Sequence, residues 1–244
     1  MKIYEIKNKE EVFGYLFYNK KIDDYYIELN TNTDNQPIFF NEFIKKGMKN
    51  INSYWTKRWV DERVIPYSRQ NINSILKIND FTYYDELEIF IKMKGKSSMD
   101  DTFIDEIKID DLPLDIKERR NKTIIDFMKL KENNIIVFFK NGEAKICNLE
   151  YELVEPFLSS FGNEIIDNYN HHLDYLKLYE LGKKSPILYD DLITYLKTNI
   201  YTTEDTRKEL NVSRQYISQI KNSKIKEVSK DIYLKNDVIL SQNK

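Results

Sequence analysis

The sequence predicts an α+β chain built from three small modules. Three observations carry that prediction. Aromatic residues alternate with a period of two near the start, the spacing turns helical after Pro37, and Asn141-Gly142 separates two alternating apolar runs. The 244 residues are 41% hydrophobic and 14% aromatic, which is ample material for packed cores and excludes wholesale disorder.

Taken in order, residues 12–18 and 25–29 read as a β-hairpin joined by the polar stretch 19–24. After Pro37, Phe39, Phe40, Phe43 and Ile44 fall at helical spacing, and Trp55 and Trp59 follow. Pro66 interrupts that pattern, and a second helix is expected over residues 69–78. A third, 85–93, stops at Gly95, placed as the C′ glycine that tolerates a left-handed turn. This N-terminal hairpin-plus-helices module spans residues 1–110. Residues 111–121 are charged, contain Pro113, lack a core period, and read as a linker.

The central β-hairpin/helix module, 122–184, begins with the alternating run 124–131 and the apolar run 135–139. Asn141-Gly142 and the run 143–149 follow; Asn-Gly favours a two-residue hairpin turn because both positions accept positive φ. Residues 151–166 read as an amphipathic helix, and 173–179 as either strand or helix. The last module, 185–244, opens on an amphipathic pattern of Leu188, Leu192, Leu196 and Ile200.

Charge and composition narrow the function classes. Lys and Arg total 38 against 40 Asp and Glu, a net −2, yet the distribution is uneven. Between Thr206 and Lys230 seven Lys/Arg stand against two Glu, a local +5 that suits a phosphate-facing surface. No apolar run approaches the roughly 20 residues that span a bilayer, so no membrane partner is expected. The first twenty residues have no signal-peptide core. Cys147 is the only cysteine, which rules out an internal disulfide and points to a reducing, cytoplasmic setting. One Cys and two adjacent His offer little to a transition metal, and no P-loop or GxGxxG occurs; neither metal nor cofactor is expected.

The segment from 201 to 239 carries the sharpest signal. Thr202 or Thr203 can cap a helix ending near Leu210, Asn211 suits a tight turn, and Ser213 caps a second helix through Asn222. Leu210, Val212, Ile217 and Ile220 then fall where two short crossing helices bury apolar residues together, the spacing of a helix-turn-helix. The outer face of the second helix holds Arg214, Gln215, Tyr216, Ser218, Gln219 and Lys221. Arg pairs with guanine, Gln with adenine, and Ser and Tyr bond phosphates. Alternation through Val228, Ile232, Leu234 and Val238 suggests a β-wing, with Lys224, Lys226 and Lys230 as phosphate contacts alongside Thr203.

This segment resembles the excisionase and MerR-like winged helix-turn-helix. The likeness rests on Thr202, Thr203, Leu210, Val212, Ser213, Arg214, Ile217, Ile220, Lys221, Ile225, Asp237 and Val238, and covers about forty residues. Asn211 and Ser223 stand where that family has glycines, and Thr206 near a usual alanine. The strings WVDERVIPYSRQNI (59–72) and GKSSMDDTFI (95–104) resemble the module that accompanies HipA-like kinases, matching at Trp59, Arg63, Ile65, Pro66, Arg69, Gly95, Ser97, Asp100 and Phe103. The kinase portion has no counterpart, so kinase activity is not implied. The hairpin around FFKNGEAKICNL is similar to a small bacterial domain of unknown function found beside helix-turn-helix modules.

Trp55, Arg58, Trp59, Arg63 and Arg69 form the second candidate set. Their arginines either pair with Asp100 or Asp101 and stack on tryptophan, which is the favoured structural reading, or grip a phosphate or acidic partner. Enzymatic activity is not expected. Asp85 with Glu106 and Lys108 fits a nuclease pattern loosely, and the three Glu-x-Lys strings match what composition alone yields. His171 and His172 lack a nucleophile motif. The expectation is therefore a sequence-specific regulator of a bacterial or mobile-element operon, an autorepressor binding double-stranded DNA as a homodimer. The alternative is a phage or mobile-element effector, an inhibitor of a host defence nuclease or an antitoxin, holding a protein partner through its N-terminal module.

Overall fold

In a computed structural model, which describes residues 1–30, 37–129, 133–184, 207–208 and 212–221, the aromatic alternation at the start forms the centre of an antiparallel sheet. Strands β1 (Lys2–Asn8), β2 (Glu11–Asn19), β3 (Asp24–Leu29), β4 (Asn50–Ile51) and β5 (Thr102–Ile107) run in the order β4-β3-β2-β1-β5. The register pairs Leu16 with Ile27 and Phe17 with Tyr26, so successive residues feed opposite faces. Strands β2 and β3 at the centre are buried on both faces, whereas β5 alternates, with Thr102 and Ile104 buried and Phe103 and Asp105 half-buried.

One face, with Tyr4, Ile6, Leu16, Ile27 and Leu29, packs against helices α1 (Ile38–Lys45), α2 (Ser53–Asp61) and α4 (Glu86–Lys92); α3 (Ile72–Ile78) adds Leu76. Trp59 sits at the centre, its ring 5.5 Å from both Phe40 and Phe90. The helices start where side chains cap them: Asn52 accepts the Trp55 N–H at 3.2 Å, and Asp85 the Glu88 N–H at 2.8 Å. At the end of α4 the left-handed residue expected at Gly95 begins one position earlier. Lys94 has φ 57° and Gly95 φ 61°, while the Gly95 N–H reaches the Phe90 carbonyl at 2.7 Å.

The stretch 111–121, expected as a linker, is folded. A 3-10 turn (Ile109–Asp111) leads into α5 (Leu114–Arg120), and Leu112 and Ile116 are buried. Pro113 serves as a helix start, its carbonyl accepting the Lys117 N–H at 3.0 Å. Arg119 contacts Glu28 at 3.2 Å and donates to the carbonyls of Lys49 (2.8 Å) and Leu29 (2.7 Å). The Arg120 guanidinium lies over Phe17 and Tyr26, at 5.0 and 5.1 Å. The charges that suggested a solvated linker are therefore what bind the segment to the sheet's second face. The first compact unit accordingly runs from Met1 to Arg120 and the second from Asn121 to Lys244.

The second unit begins with β6 (Ile124–Lys129), β7 (Asn134–Phe139) and β8 (Ala144–Asn148). The Asn-Gly hairpin forms, with a three-residue loop instead of two. The Gly142 N–H donates to the Phe139 carbonyl at 2.9 Å, the Phe139 N–H to Glu143, and only Gly142 of the Asn-Gly pair has positive φ (86°). This is a turn followed by a G1-type bulge. Residues 151–166, expected as a helix, are extended: β9 (Phe157–Leu158) and β10 (Glu164–Ile166) pair, and β11 (His172–Asp174) completes a three-stranded sheet. Pro156 withholds a donor from any helix there. Gly162 (φ 67°) accepts the Ile124 N–H at 2.7 Å, with its own carbon so close that an added Cβ would lie 2.0 Å from the Ile124 carbonyl oxygen. Residues 173–179 prove to be both types, the end of β11 and then α6 (Tyr175–Leu181), after which β12 (Lys183–Lys184) pairs with β8. Helix α7 (Arg214–Lys221) is the one element described in full beyond residue 184.

Both units thus combine helices with antiparallel sheet, an α+β architecture. Among the described residues, no helix is long and apolar enough to cross a membrane.

Candidate nucleic-acid interface

Helix α7 begins where the sequence places it. The Ser213 hydroxyl accepts the Tyr216 N–H at 3.1 Å, a side-chain cap at the N-terminus. Just before it, the Val212 N–H donates to the Arg207 carbonyl at 3.1 Å, the six-to-one bond with which helices commonly end. Arg214, Gln215 and Ser218 are exposed on α7, whereas Tyr216 and Gln219 are half-buried. Arg214, Gln215 and Ser218 lie at i, i+1 and i+4, so they share a helical face that presents a guanidinium, an amide and a hydroxyl together. Lys221 is the last residue of the helix. Thr203, Lys224, Lys226 and Lys230, with the expected wing and most of the first helix, lie outside the described residues.

The N-terminal candidates divide. Trp59 is fully buried, and the Arg63 guanidinium lies 4.4 Å from its ring centre. Arg63 donates to the Asp100 carboxylate, whose second oxygen accepts the Thr102 N–H at 3.0 Å. Burial lowers the Arg63 pKa, and the Asp100 charge opposes that shift. These two residues are therefore occupied in pinning α2 to the loop before β5, and offer no surface to a partner. Arg69 is exposed, and among the described residues its guanidinium meets neither Asp100 nor Asp101. Trp55 is 38% exposed, and the exposed Arg58 guanidinium lies over it at 5.2 Å. Tyr54, which sequence spacing did not single out, adds a ring edge-on to Trp55 at 5.2 Å and is 62% exposed. Phe43 meets Trp55 from α1 at 5.9 Å, so Phe43/Lys46 and Trp55/Arg58 each repeat an aromatic followed by a cation three residues later. That doubled spacing was the available signal.

In the second unit the two histidines serve the β10–β11 connection. His171 Nδ1 lies 2.9 Å from the buried Asp167 carboxylate, and His172 Nδ1 lies 2.8 Å from Glu164. Burial raises the Asp167 pKa. Hydrogen bonds from the His171 ring and from the N–H groups of His171 and Val154, with the His171 charge, outweigh burial and bring it down to about 2. Cys147 is buried, donates to the Leu178 carbonyl at 3.3 Å, and burial pushes its thiol up to about 11. Among the described residues no group of three or more His, Cys, Asp or Glu is placed to hold a metal ion. No family model, curated protein or solved structure matches the chain.

Proposed function

We propose that the protein is a sequence-specific DNA-binding regulator that acts on its own operon. The observation that supports this reading is the Ser213-capped helix with Arg214, Gln215 and Ser218 exposed on one face. Those three side chains match the donor and acceptor patterns that bases display in the major groove. Ser213 and Tyr216, at the start of the helix, stand where backbone phosphates are met, because unpaired N–H groups and the helix dipole favour anions there. The local +5 between residues 206 and 230 adds the sequence-independent attraction. One such module reads few base pairs, so the reading includes a homodimer on a palindromic site.

The test is binding of the full-length protein to about 200 bp upstream of its own gene across a salt series, against a shuffled duplex. Native DNA is expected to bind at least about a thousandfold more tightly than shuffled DNA, and Arg214→Ala/Gln215→Ala to erase that preference. Equal, steeply salt-dependent affinity for both duplexes would defeat the regulator reading. A monomeric mass by light scattering, with and without the native duplex, would defeat the homodimer.

A further inference from the structure

We infer that the first unit carries a separate site for unpaired nucleic acid, formed by Tyr54, Trp55 and Arg58 on α2 with Lys46 at the end of α1. The juxtaposition comes from packing. The Phe43–Trp55 contact at 5.9 Å lays the last turn of α1 beside the first turn of α2. The Trp55 ring is held by Phe43 and Tyr54 edges, so it is a fixed platform and not a floppy surface residue. Arg58 lies on that platform at 5.2 Å and forms no ion pair among the described residues. A guanidinium held over an indole by its carbon still has N–H groups with which to meet a phosphate, and it can stack on a base. Tyr54, 62% exposed, offers a second ring, and Lys46 adds an exposed ammonium nearby in sequence to Phe43.

Aromatic rings interleaved with unpaired cations are what single strands require: bases stack on the rings while the phosphates meet the charges. A duplex hides its bases and cannot use the rings. An apolar protein partner fits less well, because the surrounding positions Glu42, Lys45, Lys57 and Glu62 are all exposed and charged, where a protein hot spot has an apolar, water-excluding surround. The site differs from the helix-turn-helix in ligand and in residues.

Trp55 and Trp59 are the chain's two tryptophans, and only Trp55 reaches solvent, so intrinsic fluorescence reports the site directly. The experiment titrates full-length protein with dT and dA oligomers of about 15 nucleotides, a length that spans several bases of a stacking site. Quenching of the Trp55 emission is expected, and Tyr54→Ala/Arg58→Gln should weaken binding about tenfold or more, as loss of a stacked base does. Arg214→Ala/Gln215→Ala should leave oligomer binding unchanged. Lys46→Gln, which alters one exposed side chain, should weaken binding and reduce the salt slope by about one. No quenching at low salt, or equal affinity in the Tyr54/Arg58 variant with its melting temperature intact, overturns the site. So does loss of oligomer binding in the Arg214/Gln215 variant alone, which moves the strand to α7. Quenching by polyglutamate but not by oligomers also overturns it and assigns the patch to an acidic protein. Oligomer binding that survives while duplex preference fails separates this site from the regulator reading.

Discussion

The two units bury a carboxylate in different ways. In the first, Glu28 lies under α5 and is met by Arg119, which also caps the carbonyls of Leu29 and Lys49; donor and acceptor stand 90 residues apart in the case of Leu29. In the second, Asp167 folds back on its own turn, accepting the N–H groups of Tyr169 (3.0 Å) and His171 (2.9 Å) and facing the His171 ring. The first arrangement needs the whole unit to be folded, and its cation is charged at any ordinary pH. The second is local, rests largely on backbone donors, and its side-chain partner is a cation only when protonated. One lock is therefore tertiary and the other local.

The sharpest way to break the first is Arg119→Ala. It removes a cation from a fully buried Glu28 and a donor from two carbonyls, and should lower stability by about 3–5 kcal/mol in chemical denaturation. A loss under about 1 kcal/mol would show that α5 is an accessory to the sheet, as a linker would be. The second unit has its own tight point at Gly162→Ala. Positive φ and a Cβ placed 2.0 Å from the Ile124 oxygen should remove about 3 kcal/mol, the upper end of what strained non-glycine backbone brings. Unchanged stability would mean that the β6 backbone can shift away from residue 162.

Acid titration sharpens the contrast. Asp167 has a folded pKa of about 2 against an ordinary value of 3.8. A depressed carboxylate contributes stability that is fully present above its unfolded pKa and is lost as pH falls through the folded one. The difference in melting temperature between wild type and Asp167→Asn should thus be constant above about pH 5, and shrink between about pH 4 and pH 2. A gap that persists at pH 2 would assign the residue's effect to shape and not to charge. The smallest effect concerns Cys147. Burial and a pKa near 11 predict negligible alkylation by iodoacetamide at pH 8 in the native state, with full reaction after unfolding.

Much of the local structure is legible in the residues. The hairpin of β2 and β3, helices α1, α2 and α4, the Asn141-Gly142 connection and the Ser213 cap follow from period, turn chemistry and capping, all of which act within a few residues. An arginine paired with Asp100 or Asp101 and stacked on tryptophan was also expected, and Arg63 does both, with Asp100 and Trp59. Where reading failed, distant partners decided. Nothing within 109–120 announces burial; Leu112 and Ile116 are buried in a segment that Arg119 and Arg120 tie to Glu28, Phe17 and Tyr26. The apolar spacing of 151–166 mimics a helix, yet Gly162 pairs with Ile124, 38 residues away in chain terms.

The candidate sites divide along the same line. By itself the sequence determines which residues carry the donors and acceptors of the proposed DNA contacts, since Arg, Gln and Ser after a serine cap are local choices with local consequences. Only the tertiary structure decides which of the tryptophans and arginines remain available. Trp59 shares its helix with Trp55 and Arg58, and Arg63 lies just past its end, but Trp59 and Arg63 face Phe40, Phe90 and Asp100 and are consumed by the core, whereas Trp55 and Arg58 face solvent. The physical reason is that a side chain's chemistry belongs to the residue, while its exposure belongs to everything packed around it.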